Sequence, residues 1–337
     1  MTDEFLLELI FEKKFSNENY EKINLEKIIS RGSSELCLPL IFSKICERNL
    51  NRYFEKEFVD YLQKISELNN ERNKSLIQEV KNISKILKQN KVNHVFLKGS
   101  AQIFSEIYNN NFERMIGDID LLIDRKDIQK GVDLLMEDDY EFLESDNYFD
   151  EEDRHLRRLV NKDKVFAIEI HRKLFTNKYF SEINENKLLK NKIICNNIFV
   201  PSLNNQLYHC IYNHQINDYG NLYMNFSIRT SYDFFKILKK TDIDLNLSKH
   251  RFHEIKNFLN LLIIYKPFEI NYKFMKKSLK TIYVSIKKRN ILISRIHQFL
   301  VKILIFIKIK FKQVKKIFLR KNYRKWLYDL AKKKLSF

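Results

Sequence analysis

Cysteine is sparse in this chain. The 337 residues hold four, Cys37, Cys46, Cys195 and Cys210, and no two stand in a C-x-x-C spacing. That argues against a disulfide scaffold or a zinc site, and the four are expected as buried thiols in a reducing compartment. Long apolar runs are missing as well. The nearest approach, Phe299 to Ile309, is broken by Lys302 and Lys308 and falls short of the roughly 18 residues that cross a bilayer. Nor does the first stretch, Met1 to Lys14, resemble an export leader, because Asp3, Glu4, Glu8 and Glu12 are mixed among its leucines and phenylalanines. A cytoplasmic protein without a transmembrane segment is the expectation.

Acidic residues are almost absent from one end. From Asn271 to Phe337 there are 21 Lys and Arg against one acid, Asp329, which accounts for the net charge of +18 and leaves the preceding 270 residues at −2. The basicity is therefore a property of the tail and not of the whole surface. Glycine and proline are scarce, five and three, while Asn, Ile and Lys abound, so part of the lysine content is compositional drift at solvated positions. An apolar fraction of 44% is ample for a core in a chain of this length.

Along the chain, apolar residues first recur three and four apart, as in Phe5, Leu6, Leu9 and Ile10 and again in Phe54, Phe58, Leu62 and Ile65, which is helical periodicity. At His94 the pattern changes. A short β-prone run, His94 to Leu97, meets Lys98-Gly99-Ser100, and a helix is expected from Ala101 to Tyr108. Further strands are expected at Asp118 to Asp124, Tyr140 to Leu143, Lys164 to His171 and Asn191 to Val200, with a helix over Asp127 to Glu137. Helical spacing then returns from Leu203. The reading is an α+β fold in three parts: a helical region over 1–88, a small mixed-sheet core over 89–200, and a helical region over 201–337 that ends in the basic tail.

Side chains alternate along a strand, so Asp118 and Asp120 share one face while Ile119, Leu121 and Ile123 take the other. The same alternation pairs Glu169 with His171 and sets Phe166, Ile168 and Ile170 opposite. Acids gathered this closely repel one another, and cations relieve the repulsion. Few, hard oxygen ligands suit Mg²⁺, and two such ions would serve an in-line displacement at phosphorus. Upstream, Gly99 permits a sharp turn and Ser100 offers a hydroxyl and an amide to an anion. Two of the five glycines, Gly99 and Gly117, fall in these elements.

The run Phe96-Leu97-Lys98-Gly99-Ser100-Ala101, then Arg114 with Asp118-Ile119-Asp120-Leu121-Leu122-Ile123, then Ile168-Glu169-Ile170-His171, resembles the uncharacterised nucleotidyltransferase branch of the nucleotidyltransferase-fold superfamily. The resemblance runs from the first helices to about Leu238 and leaves out the basic tail. It implies Asp118, Asp120 and Glu169 as catalytic metal ligands, Gly99 and Ser100 as the phosphate cradle, and Lys98 and Arg114 as further nucleotide contacts, with Arg114 alternatively orienting an aspartate. The implied reaction is Mg²⁺-dependent transfer of a nucleoside monophosphate from an NTP to an acceptor hydroxyl on a sugar, an antibiotic, a tRNA end or a protein. Family members also carry a helical His and an Arg-x-x-x-Asp, which fall here on His214 and on Arg229 with Asp233.

Each residue also has a plainer reading. A D-x-D recurs at Asp242-Ile243-Asp244 without a Gly-Ser turn or a later acidic strand, and there it reads as a loop at a helix boundary. Lys98 is equally a solvated strand end. His171 is a general base toward the acceptor or a polar strand-end histidine, and His214 lines the acceptor pocket or is a structural histidine, the second being commoner. Arg229 and Asp233, four apart on a helix, read as an ion pair. In the tail, Ile296, Leu300, Ile303, Ile307, Phe311, Val314 and Phe318 form one helical stripe among lysines. That pattern covers a core, binds RNA, or lies on an anionic membrane surface, the first being the most common. A non-catalytic, antitoxin-like binding module and an RNA-directed enzyme are the alternatives to the transferase.

Overall fold

Apolar positions at helical spacing wind the N-terminal part into α1 (Thr2–Ile10), α2 (Leu25–Ser34), α3 (Leu38–Glu47) and the long α4 (Lys56–Gln89). In the computed structural model, residues 2–11, 13–14, 20–144, 148, 150, 153–176, 183–241, 253–268 and 279–335 are described. Helix α4 stops where Lys91 takes a left-handed φ of 55°, and the chain enters the sheet at once. The sheet is built from β1 (His94–Phe96), β2 (Asp118–Ile123), β3 (Glu141–Phe142), β4 (Leu159–Val160) and β5 (Ala167–His171). Between them lie α5 (Lys98–Phe104), after β1, and α6 (Ile128–Met136), after β2. After the sheet come α7 (Glu185–Lys190), β6 (Lys192–Cys195), β7 (Ile198–Pro201), α8 (Leu203–Tyr212), a π turn over Asn213–Asn217, α9 (Gly220–Tyr223) and α10 (Ile228–Leu238). The remaining helices are α11 (His253–Tyr265), α12 (Leu279–Arg289), α13 (Ile291–Leu319) and α14 (Lys321–Leu335).

The strand order is β1-β2-β5-β4-β3. Only β2 and β5 run parallel, in a register that sets Asp118 opposite Ala167, Asp120 opposite Glu169 and Leu122 opposite His171. The fold is thus α+β around a small mixed sheet. The sheet divides two apolar cores. Ile119, Leu121, Ile123, Ile168 and Ile170 face Leu76, Val80, Ile83 and Leu87 of α4 and Val132 and Leu135 of α6. On the other face Val95, Leu97 and Leu122 join a core made by the N-terminal helices together with α8, α10 and α11, through residues such as Leu6, Ile41, Leu207, Phe234 and Phe258. Each fully buried side chain of this kind contributes about 1.5–3 kcal/mol, so β2 and β5 are clamped from both sides.

Several expectations need correction. The segment 191–200 is not one strand but a hairpin, β6 against β7, because Asn196 and Asn197 take left-handed φ of 47° and 62° and close the tight turn that such residues favour. Strand β4 went unforeseen, being only two residues long. Helix α5 starts at Lys98 rather than Ala101, which moves Gly99 and Ser100 from a turn into the first helical turn. The second D-x-D lies outside the described residues. All four cysteines carry free thiols, as expected, but only Cys37 is buried and the others are half-buried. The tail stripe does not cover a core: of the residues in α13 only Val301 is buried. Among the described residues no single helix is long and apolar enough to cross a membrane.

Candidate functional site

The loop that leads into β2 is fixed from below by α4. Two buried asparagines of that helix reach across: Asn69 Nδ2 donates to the carbonyls of Phe112 (2.6 Å) and Arg114 (3.2 Å). Asn73 Nδ2 donates to the carbonyl of Arg114 at 2.9 Å and to that of Asn111. Polar residues buried on an otherwise apolar helix face are costly unless bonded, so these four bonds hold the loop and set where β2 begins.

On β2 the carboxylate of Asp120 is buried, and its Oδ1 accepts from Lys98 Nζ and, at 2.8 Å, from His171 Nε2. Oδ2 is the oxygen this arrangement leaves to a ligand. Its strand partner Glu169 accepts at Oε1 from Arg158 Nε at 2.8 Å, and the same guanidinium reaches Asp118 Oδ2 at 3.1 Å. Ligand atoms of Asp120, Glu169 and His171 lie within 4.8 Å of one another. The predicted acids therefore converge, but the tightest grouping contains His171, and Asp118 joins it through Arg158.

Electrostatics ranks the three carboxylates. Burial works against ionised Asp120, yet the Lys98 ammonium and the His171 hydrogen bond outweigh it and hold this carboxyl well below the usual range. Burial and Asp120 likewise push Glu169 up, while His155, Arg158 and Lys98 bring its net shift downward. Asp118 is left under-compensated. Its burial, followed by repulsion from Asp120 and Glu169, raises it to about 6 despite Lys98 and Arg158. His171 is lowered by burial, with Asp120 opposing, and so is neutral near pH 7. Three acids against Lys98 and Arg158 thus leave a net negative charge, and that deficit is what a bound cation would fill.

Beside the acids opens a cavity of about 200 Å³, walled by Lys98, Gly99, Asp118, Asp120, His209 and Arg229, among others. Lys98 has a left-handed φ of 49°, so the strained position at the strand-to-helix junction is the lysine and not the glycine. Gly99 is required for another reason: a Cβ there would stand 2.8 Å from Ile116 Cγ1. A Cβ at Gly117, by contrast, would meet nothing within 4 Å. Gly117 also lines the cavity. Ser100 is buried, its hydroxyl lacks a hydrogen-bond partner among the described residues, and it is not among the residues that line the cavity.

Not every predicted residue belongs to this ensemble. Arg114 lines the cavity but touches neither β2 acid: its guanidinium pairs with Asp233 at 3.1 Å and donates to the Met115 carbonyl at 2.8 Å. Asp233 also accepts from Tyr108, so the expected Arg229–Asp233 pair gives way to an Arg114–Asp233–Tyr108 cluster whose Arg114 and Asp233 line the cavity. His214 is buried against Phe258 and Gly220 in the π turn and is not among the cavity's lining residues, in keeping with a structural histidine. Two residues were missed. Arg158 belongs to the run Arg154, Arg157, Arg158 that follows an acidic stretch, and that change of sign was its signal. His209 lines the cavity from α8, its Nε2 lacks a partner, and burial followed by the Lys98 charge lowers it to about 3. A histidine among apolar helix positions carries no comparable signal.

A family model described as uncharacterised nucleotidyltransferase matches residues 21–265, which takes in α2 to α11 and the whole site but leaves out α1 and stops before α12. No curated protein matches the chain.

Proposed function

The chain belongs to the uncharacterised nucleotidyltransferase family, and from that premise we propose that it transfers a nucleoside monophosphate from an NTP to an acceptor hydroxyl. The observation that carries the reading is the register pair Asp120 and Glu169 on parallel strands, with Asp118 and Asp120 at the wall of a cavity that also presents Lys98 and Arg229. In such a reaction the acceptor oxygen bonds to the α-phosphorus, the bond to the bridging oxygen breaks, and pyrophosphate leaves.

Bound divalent ions, two Mg²⁺ in this reading, supply charge neutralisation to the triphosphate and to the attacking and leaving oxygens. Asp118, Asp120 and Glu169 hold them, since Mg²⁺ prefers carboxylate oxygen to imidazole. His171 then orients Asp120 by donating from Nε2, a proton it would have to lose in order to ligate a metal itself. Lys98 and Arg229 meet the phosphates. The backbone at Gly99 completes that contact. His209 and Gln102 border the space left for the rest of the substrate.

The test is to incubate the purified protein with each NTP, labelled at the α-phosphate, in Mg²⁺ and host lysate, and to follow both pyrophosphate release and transfer of label. Asp120→Asn is expected to lose about 10²–10³-fold in rate while the circular dichroism spectrum is retained. A rate unchanged in Asp120→Asn and in Asp118→Asn would refute the site. Binding of NTP with no pyrophosphate released across the lysate would mark a binding module instead.

A further inference from the structure

The feature the transferase reading leaves unused is α13. Its 29 residues contain seven Lys and Arg and no acid, and at ~1.5 Å per residue they extend about 43 Å. One side of the helix meets the protein. Val301 is buried there, Lys316 pairs with Asp150 at 3.5 Å, and Lys312 approaches Asp153 at 3.7 Å. Lys316 also lies over the ring of Tyr148, which packs on Tyr323 and Trp326 of α14. These contacts fix which way the helix is turned.

Turned this way, the helix presents its apolar stripe outward. Leu300, Ile303, Ile307, Phe311 and Phe318 stand away from the protein-facing side and are 40–76% exposed. An apolar face some 40 Å long, turned to water, is unfavourable at about 25 cal/mol per Å² and indicates an absent neighbour. The charges identify it. Arg295 and Lys302 line one edge of the stripe and Lys308 and Lys315 the other, so any occupant must take the apolar face and accept cations along both margins. A second copy would bring Arg295, Lys302, Lys308, Lys310 and Lys315 against the same five charges. RNA would meet the lysines but not the phenylalanines.

We propose that α13 lies in the plane of an anionic lipid bilayer, its outward stripe sunk among the acyl chains and its marginal lysines on headgroup phosphates. Long lysine stems suit this arrangement, because they bury methylene groups while the ammonium stays at the headgroup level. Embedding in the plane, rather than crossing, follows from the lysines spaced along the helix. Among the described residues no single helix is long and apolar enough to cross, and α12 and α13 meet at a bend of 117°. The inference does not rest on the transferase reading.

The experiment is co-sedimentation of the full-length protein with vesicles of phosphatidylcholine alone, or of phosphatidylcholine mixed in equal parts with phosphatidylglycerol. Binding to the mixed vesicles should exceed binding to the neutral ones by at least about tenfold. The triple variant Ile303→Ser, Ile307→Ser, Phe311→Ser removes only exposed side chains and should weaken binding about a hundredfold with the circular dichroism spectrum intact. Lys308→Gln with Lys315→Gln should weaken it about tenfold. Protein that stays in the supernatant with both vesicles overturns the proposal. So does full binding by the triple variant, which would reduce the effect to charge adsorption, and so does resistance to alkaline carbonate, which would mean a spanning segment. A dimer in sedimentation equilibrium that the triple variant abolishes, without vesicle binding, would assign the face to a second copy.

Discussion

Arg158 is the residue on which the state of the acidic site turns. Its guanidinium bridges Glu169 and Asp118 at 2.8 and 3.1 Å and so occupies oxygens that a cation would use. Half of this side chain is exposed, so the interaction is screened, but it still competes with metal for two of three acids. Arg158→Gln should therefore bind Mg²⁺ or Mn²⁺ more tightly, by roughly tenfold. Titration calorimetry decides this, and equal affinity in the variant would show that the guanidinium and the ion use different oxygens. Lys98 differs in kind, since it touches only the oxygen of Asp120 already bonded to His171 and leaves the other exposed to a ligand.

At the scale of elements, the site depends on how β2 is delivered to β5. Parallel pairing puts Asp120 beside Glu169, and the pairing is aligned by the loop that Asn69 and Asn73 hold. Asn73→Ala should cost about 1–3 kcal/mol in urea unfolding, because the carbonyl of Asn111 loses its buried donor and that of Arg114 keeps only Asn69. It should also raise the KM for NTP as the cavity floor loosens. A variant as stable as the parent would place the control of this loop elsewhere. The hairpin β6–β7 shows the same dependence on local backbone: two consecutive asparagines in left-handed conformation reverse the chain where alternation alone reads as one strand.

For the molecule as a whole, two bodies of structure have different dependence on packing. The N-terminal helices and α8, α10 and α11 share one core with the site-bearing sheet, whereas α13 and α14 bury little beyond Val301 and Tyr323. A chain ending at Arg289 is accordingly expected to keep its melting temperature within about 4 °C, the equivalent of roughly 1 kcal/mol. It should retain pyrophosphate release and lose vesicle binding. Scanning calorimetry checks the first expectation, and a fall well beyond that margin would mean that the tail completes the core. The match of the family model, which ends before α12, agrees with this division of roles.

Strand alternation and residue order in the sequence already established that Asp118 and Asp120 share a face, that Glu169 and His171 share another, and that both faces sit on strands backed by isoleucines, because those are properties of a period of two. Helical periodicity likewise established the flanks and the stripe on α13. Only the tertiary structure decided that β2 lies parallel to β5 in a register that joins the two faces, that Arg158, just before a two-residue strand, closes over them, and that Arg114 pairs with Asp233. It also decided that the stripe faces outward, since a hydrophobic pattern fixes which residues lie together but not which side meets the protein. Local chemistry sets faces and periods, whereas pairing, register and orientation depend on residues far apart in the chain and on the balance of charge where they meet.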